Sequence, residues 1–518
     1  METNALVSQL MDFIARDKDN GINSHTIKYA NEFVEQLKQI PGINLNKNDH
    51  ALLETIRAIN NPNYVLLWLS VLAKNISCDE LCKDLLEYTL SVRKTFSIET
   101  QFFLYSQING ILFGKSYSIP ENMQSQWDRW LFELVSYFRN ELSVLLSPIG
   151  ACDRNKNLVF VVSNQIIGIN HSPTSVALEW CKCLLRQGKD VMLINTAECL
   201  SRVGEIPFMT SAASYIKEYS DLTSLEYDGF VIPFYQCPRS MPDKEVLNVL
   251  LRIVREERPE FILSMGDIVF SDLADKIIPV YSVGLTSDMP RRYTKYRSLY
   301  HCLTDGDKQW MDSAGYTEQS LIKTVFSFKL PDLSREYTRK DFDIPDDSFC
   351  LAVIGNRLDE ELNDEFFVFL QDVLQSDNCF VCFIGGFDYE SALKKYPVLN
   401  RKSTWITYTK DLLDVMRLMD LYVNPRRMGG GTSALYAMSQ GKPVITVDYG
   451  DVALNAGKEF CVKDYSEMIG IIKQYIGDRS YYKDMSVIAQ KRAGILTNTE
   501  DNMMRQINEI EIREQINQ

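Results

Sequence analysis

The chain has 518 residues, enough for about three domains. Its 45% hydrophobic and 24% charged residues are ordinary globular values and exclude collagen-like, low-complexity and wholly disordered chains. The 55 Lys and Arg stand against 69 Asp and Glu, a formal charge of −14, so no general binder of nucleic acid or anionic membrane is expected.

The N-terminus, METNALVSQLMDF, carries neither a basic leader nor a long apolar core, and no run reaches about 18 uninterrupted apolar residues. Twelve cysteines are too sparse for a disulfide scaffold. The expectation is a cytoplasmic protein with no transmembrane segment.

Residues 1–150 read as a helical domain. Ser77-Cys78-Asp79-Glu80 is a capping box, and Trp127, Trp130, Leu131, Leu134, Phe138 and Leu142 recur at helical spacing as one apolar stripe. From residue 158 short apolar runs alternate with amphipathic helices. Strands are expected at 158–162, 191–194, 230–233, 261–264 and 280–283. After a Pro- and Asp-containing stretch, a second set follows at 349–354, 380–384, 405–407, 421–423 and 444–447. Continuous apolar strands separated by helices imply parallel sheets covered on both faces. The fold class is α/β, with two Rossmann-like domains at 151–335 and 336–518, the latter ending in charged helices. Ligands of such sheets bind beyond the carboxyl ends of the strands.

Three segments carry chemistry. The first is Asn424-Pro425-Arg426-Arg427-Met428-Gly429-Gly430-Gly431-Thr432-Ser433, which follows a strand, opens a helix and leads through Gly441-Lys442-Pro443 into the next strand. The glycines allow close backbone approach. Thr432 and Ser433 place hydroxyls and N–H groups at a helix N-terminus, where an anion is favoured. A phosphate or diphosphate is the natural ligand. The second is Gly355-Asn356-Arg357 after strand 349–354; the Arg357 guanidinium suits a diphosphate. The third is the loop after strand 158–162, through Asn170-His171-Ser172-Pro173-Thr174-Ser175. Of the four histidines, at 25, 50, 171 and 301, His171 alone falls on such a loop, where it could act as a base or donate to phosphate.

Other patterns are set aside. Gly110-Ile111-Leu112-Phe113-Gly114-Lys115-Ser116 is one residue short of a P-loop and lies in helical sequence. Asp305-Gly306-Asp307 reads as a turn or helix start, and Cys379-Phe380-Val381-Cys382 as a buried strand. The histidines have no zinc spacing.

Together the three segments resemble glycosyltransferases of the GT-B fold, closest to family 41, the O-GlcNAc transferase and bacterial adhesin N-glycosyltransferase group. That family has an Asn-His-Pro-Thr-Ser loop, matched at 170–175 with one inserted residue. It also has a Gly-His-Thr-Thr loop followed by Ala-Gly-x-Pro, matched by Gly430-Gly431-Thr432-Ser433 and Gln440-Gly441-Lys442-Pro443. A helical domain before two Rossmann-like domains facing a cleft suits it as well. The resemblance covers roughly 155–465.

The resemblance implies transfer of a hexose or N-acetylhexosamine from a UDP-linked sugar to an acceptor, read as a protein. It implies no cofactor and no metal, helix dipoles and basic side chains neutralising the diphosphate. Gly430, Gly431, Thr432, Ser433 and Asn356 would bind the donor, with Lys410 of Tyr408-Thr409-Lys410 near the uracil. His171 and Arg357 would be catalytic. With no carboxylate pair in evidence, inversion is the expected outcome. The helical domain would bind the acceptor or a partner, or form a homo- or hetero-oligomer. Many GT-B enzymes place a ribose-binding acid where this chain has Tyr436, and retaining ones a glutamate where it has Gly429; Asp448 or Asp451 could take over the ribose. The alternatives are a transferase building a surface glycan or glycolipid, an inert GT-B protein that partners another transferase, and an epimerase of the same architecture.

Overall fold

The computed structural model describes residues 2–38, 50–76, 78–169, 171–198, 215–238, 241–266, 268–375 and 378–516. Ser77 of the expected capping box and Asn170 lie outside them. The chain forms two compact units. One comprises 1–85, 111–117 and 328–498; the other comprises 86–110, 118–327 and 499–518.

Among the described residues seven α-helices, from Glu2–Asp17 to Glu121–Glu141, precede the first sheet. They form where apolar stripes can be buried. In Pro62–Asn75 the Asn61 side chain accepts from the N–H groups of Asn63 and Tyr64, and Pro62 takes the first turn, where no N–H is needed. Trp68 on that helix is fully buried, with the rings of Phe13, Tyr29, Phe33 and Tyr64 within 6.3 Å. In Glu121–Glu141 the expected stripe is buried from Trp127 to Phe138. Leu142 departs from it, because the helix ends at Glu141 and Leu142 is an extended, half-buried cap.

Among the described residues the first sheet has eight strands: β1 Asn155–Ser163, β2 Asp190–Asn195, β3 Ser224–Tyr227, β4 Phe230–Gln236, β5 Pro259–Met265, β6 Val280–Val283, β7 Tyr296–Leu299 and β8 Leu321–Lys323. Their spatial order is β3-β4-β2-β1-β5-β6-β7-β8, parallel except for the β3–β4 pair. All five expected strands are present. β3, β7 and β8 add to them. The terminal helix Thr499–Ile516 returns to this unit, burying Met503, Ile507 and Ile510 in its core. Glu514 there accepts from Arg154 at 2.7 Å, Lys295 at 2.6 Å and the Tyr296 hydroxyl at 2.6 Å.

Among the described residues the second sheet has six parallel strands: β9 Phe349–Ile354, β10 Cys379–Ile384, β11 Ser403–Ile406, β12 Leu421–Val423, β13 Val444–Val447 and β14 Cys461–Val462, in the order β11-β10-β9-β12-β13-β14. The five expected strands are again found. Cys379 and Cys382 are buried free thiols in β10, and Thr304 with Asp307 forms the capping box that starts the helix Asp305–Ala314. Among the described residues no helix is long and apolar enough to cross a membrane.

Candidate active site

In each sheet the chain order reverses once. β9 has β10 on one side and β12 on the other; β1 has β2 on one side and β5 on the other. At such a switch point the loops leaving neighbouring carboxyl ends diverge and open a crevice. Gly355-Asn356-Arg357 and the Gly-rich loop leave β9 and β12, so the topology brings these two sequence motifs to one switch point.

The Gly-rich loop ends in the helix Gly431–Ser439, with Gly430 as its N-cap at φ 103° and no side chain capping it. Thr432 and Ser433 are half-buried in the first turn. Their N–H groups belong to a helix end that favours negative charge. Arg357 lies beside the loop: a Cβ at Gly429 would be 4.0 Å from its Nη2. The Arg357 guanidinium is 3.4 Å from Glu361 and about two-fifths exposed, which leaves donors for a ligand. Asn356 is exposed in the same turn.

The glycines have a different first cause from the one expected. A Cβ at Gly430 would lie 2.7 Å from Nη2 of Arg427, and one at Gly431 would overlap the amide nitrogen of Asn455. Both spaces are filled by the protein's own side chains. Gly429 alone of the three would meet nothing nearer than 3.9 Å.

Arg427 is the residue that the sequence pattern does not reveal. It is buried and donates to the Ile354 carbonyl at 2.6 Å, Asn424 Oδ1 at 2.8 Å and the Tyr422 hydroxyl at 2.8 Å, and it pairs with Glu361. Asn424 in turn donates to Thr446 at 3.1 Å. One guanidinium thus joins the ends of β9 and β12, with β13 tied on through Asn424. Nothing in the sequence separates it from its exposable neighbour Arg426.

Lys410 is exposed beyond the end of β11, two strands from β9. Tyr436 is half-buried, a phenol whose pKa burial raises, so it brings no negative charge to this position. Among the described residues no group of three or more His, Cys, Asp or Glu stands close enough to hold a metal ion.

In the other unit, His171 caps the helix Ser172–Arg186 after β1. Its Nδ1 is 3.1 Å from Thr174 Oγ1, and that hydroxyl donates to the Gln165 carbonyl at 3.3 Å. With the Thr174 proton so used, the fitting tautomer carries hydrogen on Nδ1 and leaves Nε2 as a bare acceptor. Burial holds the imidazole below its ordinary pKa, which keeps it neutral near pH 7. Glu198, just past β2, is a buried carboxyl that no sequence motif singles out. It accepts from the N–H groups of Val269 at 2.8 Å and Phe270 at 3.3 Å, and burial pushes its pKa up to about 7.

Residues 351–478 match the model of a family described as glycosyl transferases group 1. No curated protein sequence matches the chain. Among solved structures, a mutant of the Thermobaculum terrenum O-GlcNAc transferase is similar with a TM-score of 0.56 at 13% identity, over 99% of this chain and 98% of that one. A glycosyltransferase from Rickettsia africae gives a TM-score of 0.49 at 11% identity, over 70% and 99%. HepE of Anabaena in complex with UDP gives 0.48 at 13% identity, over 68% and 99%. At such identities the first of these likenesses is one of fold. The architecture is GT-B, and its segment 351–478 carries the sequence pattern of the group 1 glycosyltransferases.

Proposed function

We propose that this chain is a glycosyltransferase that moves a hexose or N-acetylhexosamine from a UDP-linked donor to a protein acceptor, without a metal and with inversion. The observation that carries this reading is the uncapped N-terminus of Gly431–Ser439 at the β9/β12 switch point, with Arg357 beside it. Breaking the glycosidic bond places negative charge on the diphosphate. Fixed N–H donors and a guanidinium stabilise that charge as it grows, and this lowers the barrier. In this reading Nε2 of His171 takes the acceptor proton. The protein acceptor and the UDP donor are read from the resemblance to family 41 and from the O-GlcNAc transferase likeness.

A second reading, an inert GT-B partner of another transferase, draws on Tyr436, which leaves the ribose without the usual acid. Incubation with a panel of UDP- and GDP-sugars separates the two. Release of UDP from one sugar, with a UDP-dependent rise in melting temperature, is expected. The absence of both release and thermal protection with every donor would refute the transferase.

A further inference from the structure

The segment that imitates a P-loop in the sequence lies against the Gly-rich loop, though not as a phosphate cradle. Gly110 to Gly114 are helical, the last turns of the helix Ile98–Gly114. The helix closes with Lys115 N–H on the Ile111 carbonyl at 2.9 Å and Tyr117 N–H on the Leu112 carbonyl at 2.9 Å. Ser116 sits between them at φ 52°, the left-handed conformation common just after a helix.

From this turn Ser116 makes two contacts far away in sequence. Its hydroxyl oxygen accepts the Met428 N–H at 3.0 Å, and its carbonyl accepts the Tyr449 hydroxyl at 3.2 Å. Met428 precedes the three glycines. Tyr449 is the N-cap of the helix Gly450–Ala456, which carries Asn455, and its ring holds the Arg426 guanidinium at 4.4 Å. Met428 and that helix are themselves joined, since the Met428 carbonyl accepts the Asp451 N–H at 2.7 Å. One turn earlier Phe113, 36% exposed, presents its ring to the Arg357 guanidinium at 5.0 Å and lies 3.9 Å from where a Gly429 Cβ would be. A cation over an aromatic face is held by the ring quadrupole.

We propose that this turn of the helical region is a positioning element of the donor-phosphate site. Ser116 fixes the backbone that leads into Gly431–Ser439, and Phe113 sets the Arg357 guanidinium beside Gly429. The proposal rests on reading that loop as the donor site, and it makes the helical region part of donor binding as well as of acceptor recognition. Neither residue is buried, so replacing them removes no core packing.

The test uses the full chain. Ser116→Gly removes the hydroxyl and suits φ 52°, so its melting temperature stays near that of the wild type, while UDP binding by calorimetry weakens roughly 3- to 10-fold. Phe113→Leu keeps apolar bulk but loses the ring face. Its kcat falls by roughly the same factor with KM for the donor little changed, and Phe113→Tyr restores it. A wild-type chain that binds UDP while Ser116→Gly binds it equally tightly overturns the role of Ser116 and leaves the donor-site reading standing. Unchanged kcat in Phe113→Leu does the same for Phe113. A wild-type chain that binds neither UDP nor GDP overturns both the positioning role and the donor-site reading.

Discussion

Gly430→Ala tests the packing under the loop most directly. The residue sits at φ 103°, where an L side chain is strained by ~1–3 kcal/mol. Its Cβ would also enter the space of the Arg427 guanidinium, with Nη2 at 2.7 Å and Nε at 2.9 Å. Arg427 has no room to yield cheaply. Moving it lengthens its bonds to the Ile354 carbonyl, Asn424, Tyr422 and Glu361 together. Overpacking of this kind costs about 1–3 kcal/mol. The combined loss, on the order of 2–6 kcal/mol, is a large part of an ordinary domain's stability. Urea unfolding of the full chain should show that loss, and UDP affinity by calorimetry should fall at least ~10-fold as the start of Gly431–Ser439 moves. A variant with the wild-type unfolding midpoint and UDP affinity would refute the account of Arg427 as the support of the loop.

Arg357→Ala should lower turnover more than donor affinity, by a factor on the order of 10–100 in kcat/KM, because the charge it meets grows in the transition state; unchanged turnover removes it from catalysis. Burial lowers the His171 pKa from 6.5, so transfer should hold steady down to about that pH and fall only below it, as the imidazole gains a proton. His171→Ala should abolish that acid limb and cut transfer ~10²–10⁴-fold with UDP affinity intact; lost affinity with normal turnover would make it a phosphate ligand instead. Glu198 titrates near 7 in the fold against 4.5 ordinarily, so between these pH values the folded chain keeps a proton that the unfolded chain has released. Stability therefore falls as pH rises through that window and stays lost above it, by up to about 3 kcal/mol. Glu198→Gln should gain on the wild type from pH 5 to pH 8 in urea midpoints, and a constant difference across that range would contradict the burial argument.

The sheets were legible because parallel strands buried on both faces are written as continuous apolar runs, and all ten such runs are strands. What lacked a run was missed. β3 is Ser-Leu-Glu-Tyr at a sheet edge, its core-facing alternation too short to stand out. Its signal lies in the turn, where Asp228 at φ 53° and Gly229 at φ 80° join it to β4 as an Asp-Gly hairpin. Ser116 and Phe113 were illegible as site residues for another reason. Their contacts with the loop span more than 300 positions, and spacing along a chain reports only on neighbours within one element.

The three glycines show how a motif can have more than one cause. In the proposed reading their position between strand and helix marks an anion site, because a helix start has unpaired N–H groups. Their absence of side chains, however, is first an adjustment to Arg427 and Asn455, which occupy the volume a Cβ would need at 430 and 431. Arg427 cannot be the phosphate ligand, since Glu361 neutralises it and carbonyl and hydroxyl oxygens take up its donors. Its role is to hold the ends of β9 and β12 in register, so that the helix N-terminus and Arg357 stay fixed relative to each other. A preorganised site stabilises developing charge without having to move, and a buried arginine with four hydrogen-bond partners under the loop is a rigid means to that end. In the proposed reading the charge that meets the diphosphate then belongs to Arg357, and the steric freedom to Gly429, the one glycine of the three whose missing side chain leaves open space.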